Sequence, residues 1–308
     1  MRVVAAALAV LCATMVAATA ADRNDAAFAV GVLRRDGVII PFGVFDGRSW
    51  SSHWPEPADD LTIPIDVRSV PSRWWGSTGP VDTWQVWFQR GEPQTVRAVQ
   101  PDWVGAHCVR QLGLRTDYRP AELPPPPDEQ PYPKDGLAIA PPRQVAPIDI
   151  VSPSGADAES VSVELRAAFN RAETKVSSRF AHPMAPSVRE SMKPTIEAMY
   201  GFGDEPRVFY VEAVRKYESA GEFECLSAFG TGWFVRENGR FRSLAMVVDL
   251  FDCNRQGASY MLPLGVVRTG TRLFWFVQFS GFDHERYAVI EPRAKGVDAA
   301  LSVWGGGC

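Results

Sequence analysis

Residues Glu224–Cys253 read ECLSAFGTGWFVRENGRFRSLAMVVDLFDC, and this stretch decides the fold. Two apolar runs, Glu224 to Arg236 and Arg240 to Asp252, flank Asn238-Gly239. Asn and Gly tolerate positive φ, so this pair between such runs specifies a two-residue hairpin. With Glu237 opposite Arg240, the ladder sets Cys225 opposite Asp252, one residue short of Cys253. A β-bulge near Gly230 or Gly232 removes the offset. The expected bond is Cys225–Cys253, which closes the hairpin and contributes about 3 kcal/mol through loop entropy.

Strand patterns continue on either side. Arg207 to Lys216 precedes the hairpin; Ala258 to Val267, Arg272 to Phe279 and Tyr287 to Glu291 follow it, with Thr269-Gly270 as a second tight turn. In the strand after that turn, Leu273, Trp275, Val277 and Phe279 face one way, and Phe274 and Phe276 the other. A strand apolar on both faces sits in the middle of a covered sheet. Upstream, Val161, Leu165, Phe169, Ala172, Val176 and Phe180 recur at helical spacing, which predicts an amphipathic helix over Asp157 to Arg179. The alternation of Val161, Val163 and Leu165 also allows strand in its first turn. A shorter helix is expected over Pro186 to Tyr200, kinked or broken at Pro194. Residues 151–308 thus read as an α+β domain of two helices followed by an antiparallel meander. The helices would cover one sheet face, leaving the other for the first domain or a partner.

Residues 119–150 read as a Pro-rich linker. Ten prolines fall between 119 and 147, four of them consecutive from Pro124 to Pro127. Each lacks an amide donor, so an extended, semi-rigid spacer is expected. It could also dock a Pro-reading partner domain. Before it, residues 27–118 show short apolar runs broken by Gly, Pro and Asp. Ala27 to Leu33 and Gly37 to Phe45 form a hairpin around Asp36-Gly37, followed by Leu61 to Val67, Asp82 to Arg90, Gln94 to Val99 and Trp103 to Leu112. This is the pattern of an all-β small barrel or sandwich. The whole is β-rich. Gly31 to Gly37 resembles Gly232 to Gly239, but one shared hairpin phrase does not make a repeat.

Residues 1–20 read as a secretory signal peptide. Arg2 is the only charge before Asp22, Val3 to Val16 is apolar, and Ala18-Thr19-Ala20 supplies small residues for cleavage. The apolar run falls short of the ~20 residues of a membrane span. Cys12 follows Leu11, which disfavours lipoprotein processing. The mature chain is expected in the periplasm or outside the cell, with no membrane span. The formal charge is −4, from 32 basic and 36 acidic residues. Losing Arg2 takes it to −5, a field that argues against nucleic acid.

Export makes the cysteines cross-links. Four follow the signal: Cys108, Cys225, Cys253 and Cys308. Pairing Cys225 with Cys253 leaves Cys108–Cys308 by elimination, the alternative being a free Cys308. No Cys-x-x-Cys motif or His pair suggests a metal site. No cofactor is expected, since dinucleotide, phosphate-loop and nucleophile-elbow signatures are absent. His107 and Cys108 are read as neighbours on one strand, pointing to opposite faces.

Two features suggest sites. Gly281-Phe282-Asp283-His284-Glu285-Arg286-Tyr287 gathers a base, two carboxylates and a guanidinium after the expected central strand. Glu212 and Asp249 sit inside apolar strands, and with His284 they could form an acid/base hydrolase site. The plainer alternative pairs both carboxylates with Arg215, Arg236, Arg272 or Arg286, while His284 caps a turn. Tryptophan is the second feature: seven of ten lie between Trp50 and Trp103. Trp54, Trp75 and Trp87 are candidate stacking platforms for a glycan or an envelope protein, and core packing is the alternative. The balance favours an exported binding or envelope-structural module over a hydrolase.

Overall fold

The computed structural model describes residues 26–57, 70–177, 182–220 and 223–308. The expected signal peptide and the strand expected over Leu61 to Val67 lie outside the described residues.

Six strands in the first half of the chain close on themselves. They are β1 (Phe28–Arg34), β2 (Val38–Phe45), β4 (Thr83–Phe88), β5 (Gln94–Ala106), β6 (Val109–Thr116) and β7 (Lys134–Ala140), with the two-residue β3 (Trp50–Ser51) paired antiparallel to the end of β2. Neighbours run β1-β7-β4-β5-β6-β2, and β2 pairs back to β1, which completes a barrel. The interior is filled from all six strands, by residues such as Leu33, Ile39, Val86, Val96, Leu112 and Ala138. Trp74 and Trp75 enter it from a 3-10 segment, Ser72–Thr78.

Two expectations are corrected here. The spacer ends at Pro133, because Lys-Asp-Gly-Leu-Ala-Ile-Ala between Pro133 and Pro141 has all its amide donors and two large apolar residues, Leu137 and Ile139. It forms β7, hydrogen-bonded on both sides, to β1 and β4. The single strand expected over Trp103 to Leu112 is instead the end of β5 and the start of β6, joined by a turn at His107-Cys108. His107 takes a left-handed φ of 56° at that turn, so it does not alternate with Cys108 along a strand.

The second half adds two antiparallel sheets. The five-stranded one has the order β12-β11-β10-β9-β8 and comprises β8 (Asp149–Ile150), β9 (Thr195–Phe202), β10 (Arg207–Ala220), β11 (Phe223–Glu237) and β12 (Arg240–Asp252). Helix α1 (Ala156–Ser177) covers one face, burying Val161, Leu165, Phe169 and Ala172 against Phe209, Val211 and Ala213. The second helix, α2 (Pro186–Ser191), stops short of Pro194, and the residues beyond form β9, not helix. The four-stranded sheet, β13 (Tyr260–Thr269), β14 (Arg272–Ser280), β15 (His284–Arg293) and β16 (Gly296–Gly307), has its strands in chain order.

This last sheet lies between the other two bodies. Phe274 and Phe276 pack with Phe28, Val30, Val32 and Ile40 on the outer wall of the barrel. Trp275 and Val277 pack with Tyr210 and Trp233 of the five-stranded sheet. The layers therefore run helix, sheet, sheet, barrel. The helices cover the five-stranded sheet, whereas the both-faced strand β14 is covered by two sheets. The core crosses the boundary expected between the halves, and β1 and β2 are buried along their whole length on both faces.

Both expected disulfides are present. In the β11–β12 ladder the register shifts between Trp233 and Phe234, beside Gly232. Below the bulge Leu226 stands opposite Asp252, so one step further sets Cys225 opposite Cys253, and these are bonded with a Cα–Cα distance of 5.6 Å. Asn238 and Gly239 take φ of 52° and 71° in the turn, as the residue pair requires. Cys108 is bonded to Cys308, which ties the end of β16 to the β5–β6 turn.

Ile139 of β7 is fully buried in the core shared with the four-stranded sheet. Ile139→Ala is expected to lower the unfolding free energy by about 2–5 kcal/mol, measured by urea denaturation; a loss below about 0.5 kcal/mol would mean residues 134–140 behave as a spacer.

Candidate functional site

Polar groups concentrate where the barrel meets one end of the four-stranded sheet. Lys134, the first residue of β7, reaches across the seam to Glu285 of β15, with Nζ 3.0 Å from Oε2. Both side chains are almost wholly buried, at 1% and 3% exposure. A buried charge is tolerated only when its remaining donors and acceptors are met. Here Lys134 Nζ also donates to Tyr132 O, and Glu285 accepts from Gln278 Nε2 at 3.2 Å and from the Tyr287 hydroxyl at 2.5 Å. Burial pushes the Lys134 amine below its ordinary range, against the pull of Glu285. Burial, with Glu285 beside it, raises the Tyr287 hydroxyl well above its usual value.

Beside this pair a cleft of about 840 Å³ opens between the β5–β6 hairpin and the Pro-rich segment. Its walls include Arg34, Trp103, His107, Arg110, Pro125 and Tyr132. Arg34 is held by Asp36 at 3.0 Å and by Gly105 O at 2.7 Å, and its guanidinium lies 4.0 Å over the Tyr132 ring. The His107 ring is lowered in pKa first by burial, and its Nε2 is buried without a hydrogen-bond partner. A left-handed, non-glycine backbone beside an unsatisfied ring nitrogen is the kind of strain that collects at functional sites.

The phrase Gly281–Tyr287 divides between two places. Glu285 belongs to the buried pair. His284 faces outward, with Nε2 2.6 Å from Ser259 Oγ and Nδ1 2.8 Å from Asp283 Oδ1. The hydrogen bond from His284 holds the Asp283 carboxyl below its ordinary range. Ser259 precedes β13, and Gly281, Asp283 and Cys308 flank the adjacent strand ends. Cys308 donates its backbone N–H to Asp283 O at 2.9 Å, so the Cys108–Cys308 bridge links this cluster to the cleft wall.

The acid/base trio of Glu212, Asp249 and His284 is not brought together. Glu212 is buried between the two sheets, with Oε1 accepting from the Met261 amide at 2.6 Å. Asp249 stands exposed on β12, and in register Glu212 pairs with Thr231, which pairs with Val247, so two strand spacings of about 4.8 Å each intervene. The expected arginine partners are engaged elsewhere: Arg215 with Glu173, Arg236 with Asp157, Arg272 with Glu291 and Arg286 with Ser302. The aromatic platform is corrected too. Trp54 and Trp75 are 7% and 2% exposed, stacked edgewise and tilted in the barrel with Trp74 and Trp84. Trp87 packs half-buried against the core shared with the four-stranded sheet, because that sheet covers the barrel face on which Trp87 stands. Compared with protein families, with characterised proteins and with solved structures, the chain finds no match in any of the three.

Burial pushes Glu212 up from an ordinary 4.5 to about 7, with the Met261 amide pulling the other way. A carboxyl raised on folding gives full stability below its unfolded value and loses it as pH climbs through the folded one. The wild type is thus expected to lose roughly 3 kcal/mol through this group as pH rises from about 4.5 to about 7, with no further loss at alkaline pH. Glu212→Gln keeps the acceptor without the charge, so its stability is expected to exceed the wild type's at the alkaline end and match it at the acid end. Urea melts of both proteins across this range check it; parallel curves would contradict it.

Proposed function

We propose that this is an exported binding protein that holds an envelope oligosaccharide in the cleft beneath the Pro-rich segment. The cleft carries the proposal. Its volume lies within the range of small-ligand sites, and it combines the half-buried Trp103 ring with hydrogen-bonding groups of Arg110, His107 and Asp128. A flat aromatic with several fixed polar groups around it suits a sugar, whose faces are apolar and whose edges are hydroxyls.

Two further observations support export. Residues 1–20 carry the charge, apolar core and small-residue exit of a cleavable signal. Two disulfides, one joining positions 200 residues apart, belong to an oxidising compartment. Among the described residues no helix is long and apolar enough to cross a membrane.

Titration calorimetry with soluble envelope oligosaccharides of about two to four sugars tests the assignment. Binding is expected, and Trp103→Ala is expected to weaken it by about tenfold or more. Absence of heat with every oligosaccharide, or undiminished binding by Trp103→Ala, would overturn it.

A further inference from the structure

The chain Asp283–His284–Ser259 has the connections of an activated nucleophile. An ionised carboxylate can only accept hydrogen bonds, so Asp283 Oδ1 fixes the proton on His284 Nδ1. In the neutral ring Nε2 is then an acceptor, and at 2.6 Å the Ser259 hydroxyl must donate to it. The base thus points at the hydroxyl proton, and a third group orients the base. The surrounding fold holds this order. Ser259 and His284 stand at the starts of β13 and β15, at the same end of one sheet with β14 between them, and a Cβ at Gly281 would collide with the His284 ring, so glycine there leaves the ring its position. Cys308, bonded to Cys108, fixes the backbone of Asp283 from the other side.

We propose that Ser259 is the nucleophile of an acyl-ester hydrolase site, with His284 as its base and Asp283 as a positioning residue. Ser259 Oγ attacks the ester carbonyl carbon while its proton passes to Nε2. The bond to the alkoxy oxygen breaks, and that oxygen leaves as the alcohol with the proton from Nε2. Water then attacks the acyl-serine, giving a proton to Nε2. The Ser259 Oγ–acyl bond breaks, Oγ recovers the proton, and a carboxylic acid departs. Ester and water are consumed; alcohol and acid are formed. The location limits the substrate. Ser259 and His284 are half-exposed, and Phe282, 69% exposed, is the adjacent apolar surface, so the site suits a short acyl group presented at the surface. The proposal stands on this geometry and does not depend on oligosaccharide binding in the cleft.

A fluorophosphonate probe, which phosphonylates activated serines, tests it on the disulfide-intact protein, with peptide mass spectrometry as the readout. Modification at Ser259 is expected, together with turnover of p-nitrophenyl acetate. His284→Ala is expected to slow both by about 100-fold or more. Asp283→Asn is expected to slow them less, lowering kcat for p-nitrophenyl acetate about tenfold with KM unchanged, and Asp283→Glu to recover part of the loss; a purely structural role would not give this split or this rescue. An unmodified Ser259 in the wild type, or a rate unchanged in His284→Ala, would overturn the proposal. The wild-type result decides by itself should the variants fail to fold.

Discussion

The structure depends on strand β14 being buried on both faces. Alternate residues of Arg272–Ser280 go to different cores: Phe274 and Phe276 to the barrel wall, Trp275 and Val277 to the five-stranded sheet. Each of these four is fully buried. Aromatic and branched side chains of this size contribute about 1.5–3 kcal/mol each on burial, so neither core is complete without this strand. The same demand reaches the barrel, where β1 and β2 turn one face inward and the other to the four-stranded sheet. A barrel with this outer wall bare would expose a large apolar patch.

Two further ties act at the same seam. Lys134 and Glu285 meet across it in a nearly dry environment, where removing one partner strands the other charge and typically costs about 3–5 kcal/mol. The Cys108–Cys308 bond closes a 200-residue separation, which constrains the unfolded chain strongly. The cleft and the Asp283–His284–Ser259 chain both sit beside these ties. Rigid support of this kind is what a site needs to keep its groups in place.

Much of this was legible wherever local pattern and tertiary demand agree. The Asn238-Gly239 turn, the bulge next to Gly232 and the resulting Cys225–Cys253 pairing follow from hairpin geometry alone. The both-faced burial of Phe274 to Val277 follows from a strand that is apolar on both alternating faces, although which bodies supply the cover depends on packing. Elements were missed where composition masks period. Strand β7 hides between Pro133 and Pro141, and β9 sits beyond Pro194 within an apolar run that could pass for helix. Strand β16 ends in Gly305-Gly306-Gly307, which resembles a loose tail, yet Gly307 pairs with His284. The His107 turn carries no Gly or Asn-Gly signal. The site was visible in part: Asp283, His284 and Glu285 stood out as a phrase. Ser259 and Lys134 did not, because they join it through contacts spanning 25 and 151 positions. The tryptophans misled as platforms since a closed barrel needs large rings inside.

If β14 unites the two cores, the chain unfolds as one unit. Differential scanning calorimetry of the disulfide-intact protein measures this most directly. One transition is predicted, with the calorimetric enthalpy equal to the van't Hoff enthalpy. Two separable transitions, one for the barrel and one for the helix-covered sheets, would contradict the account.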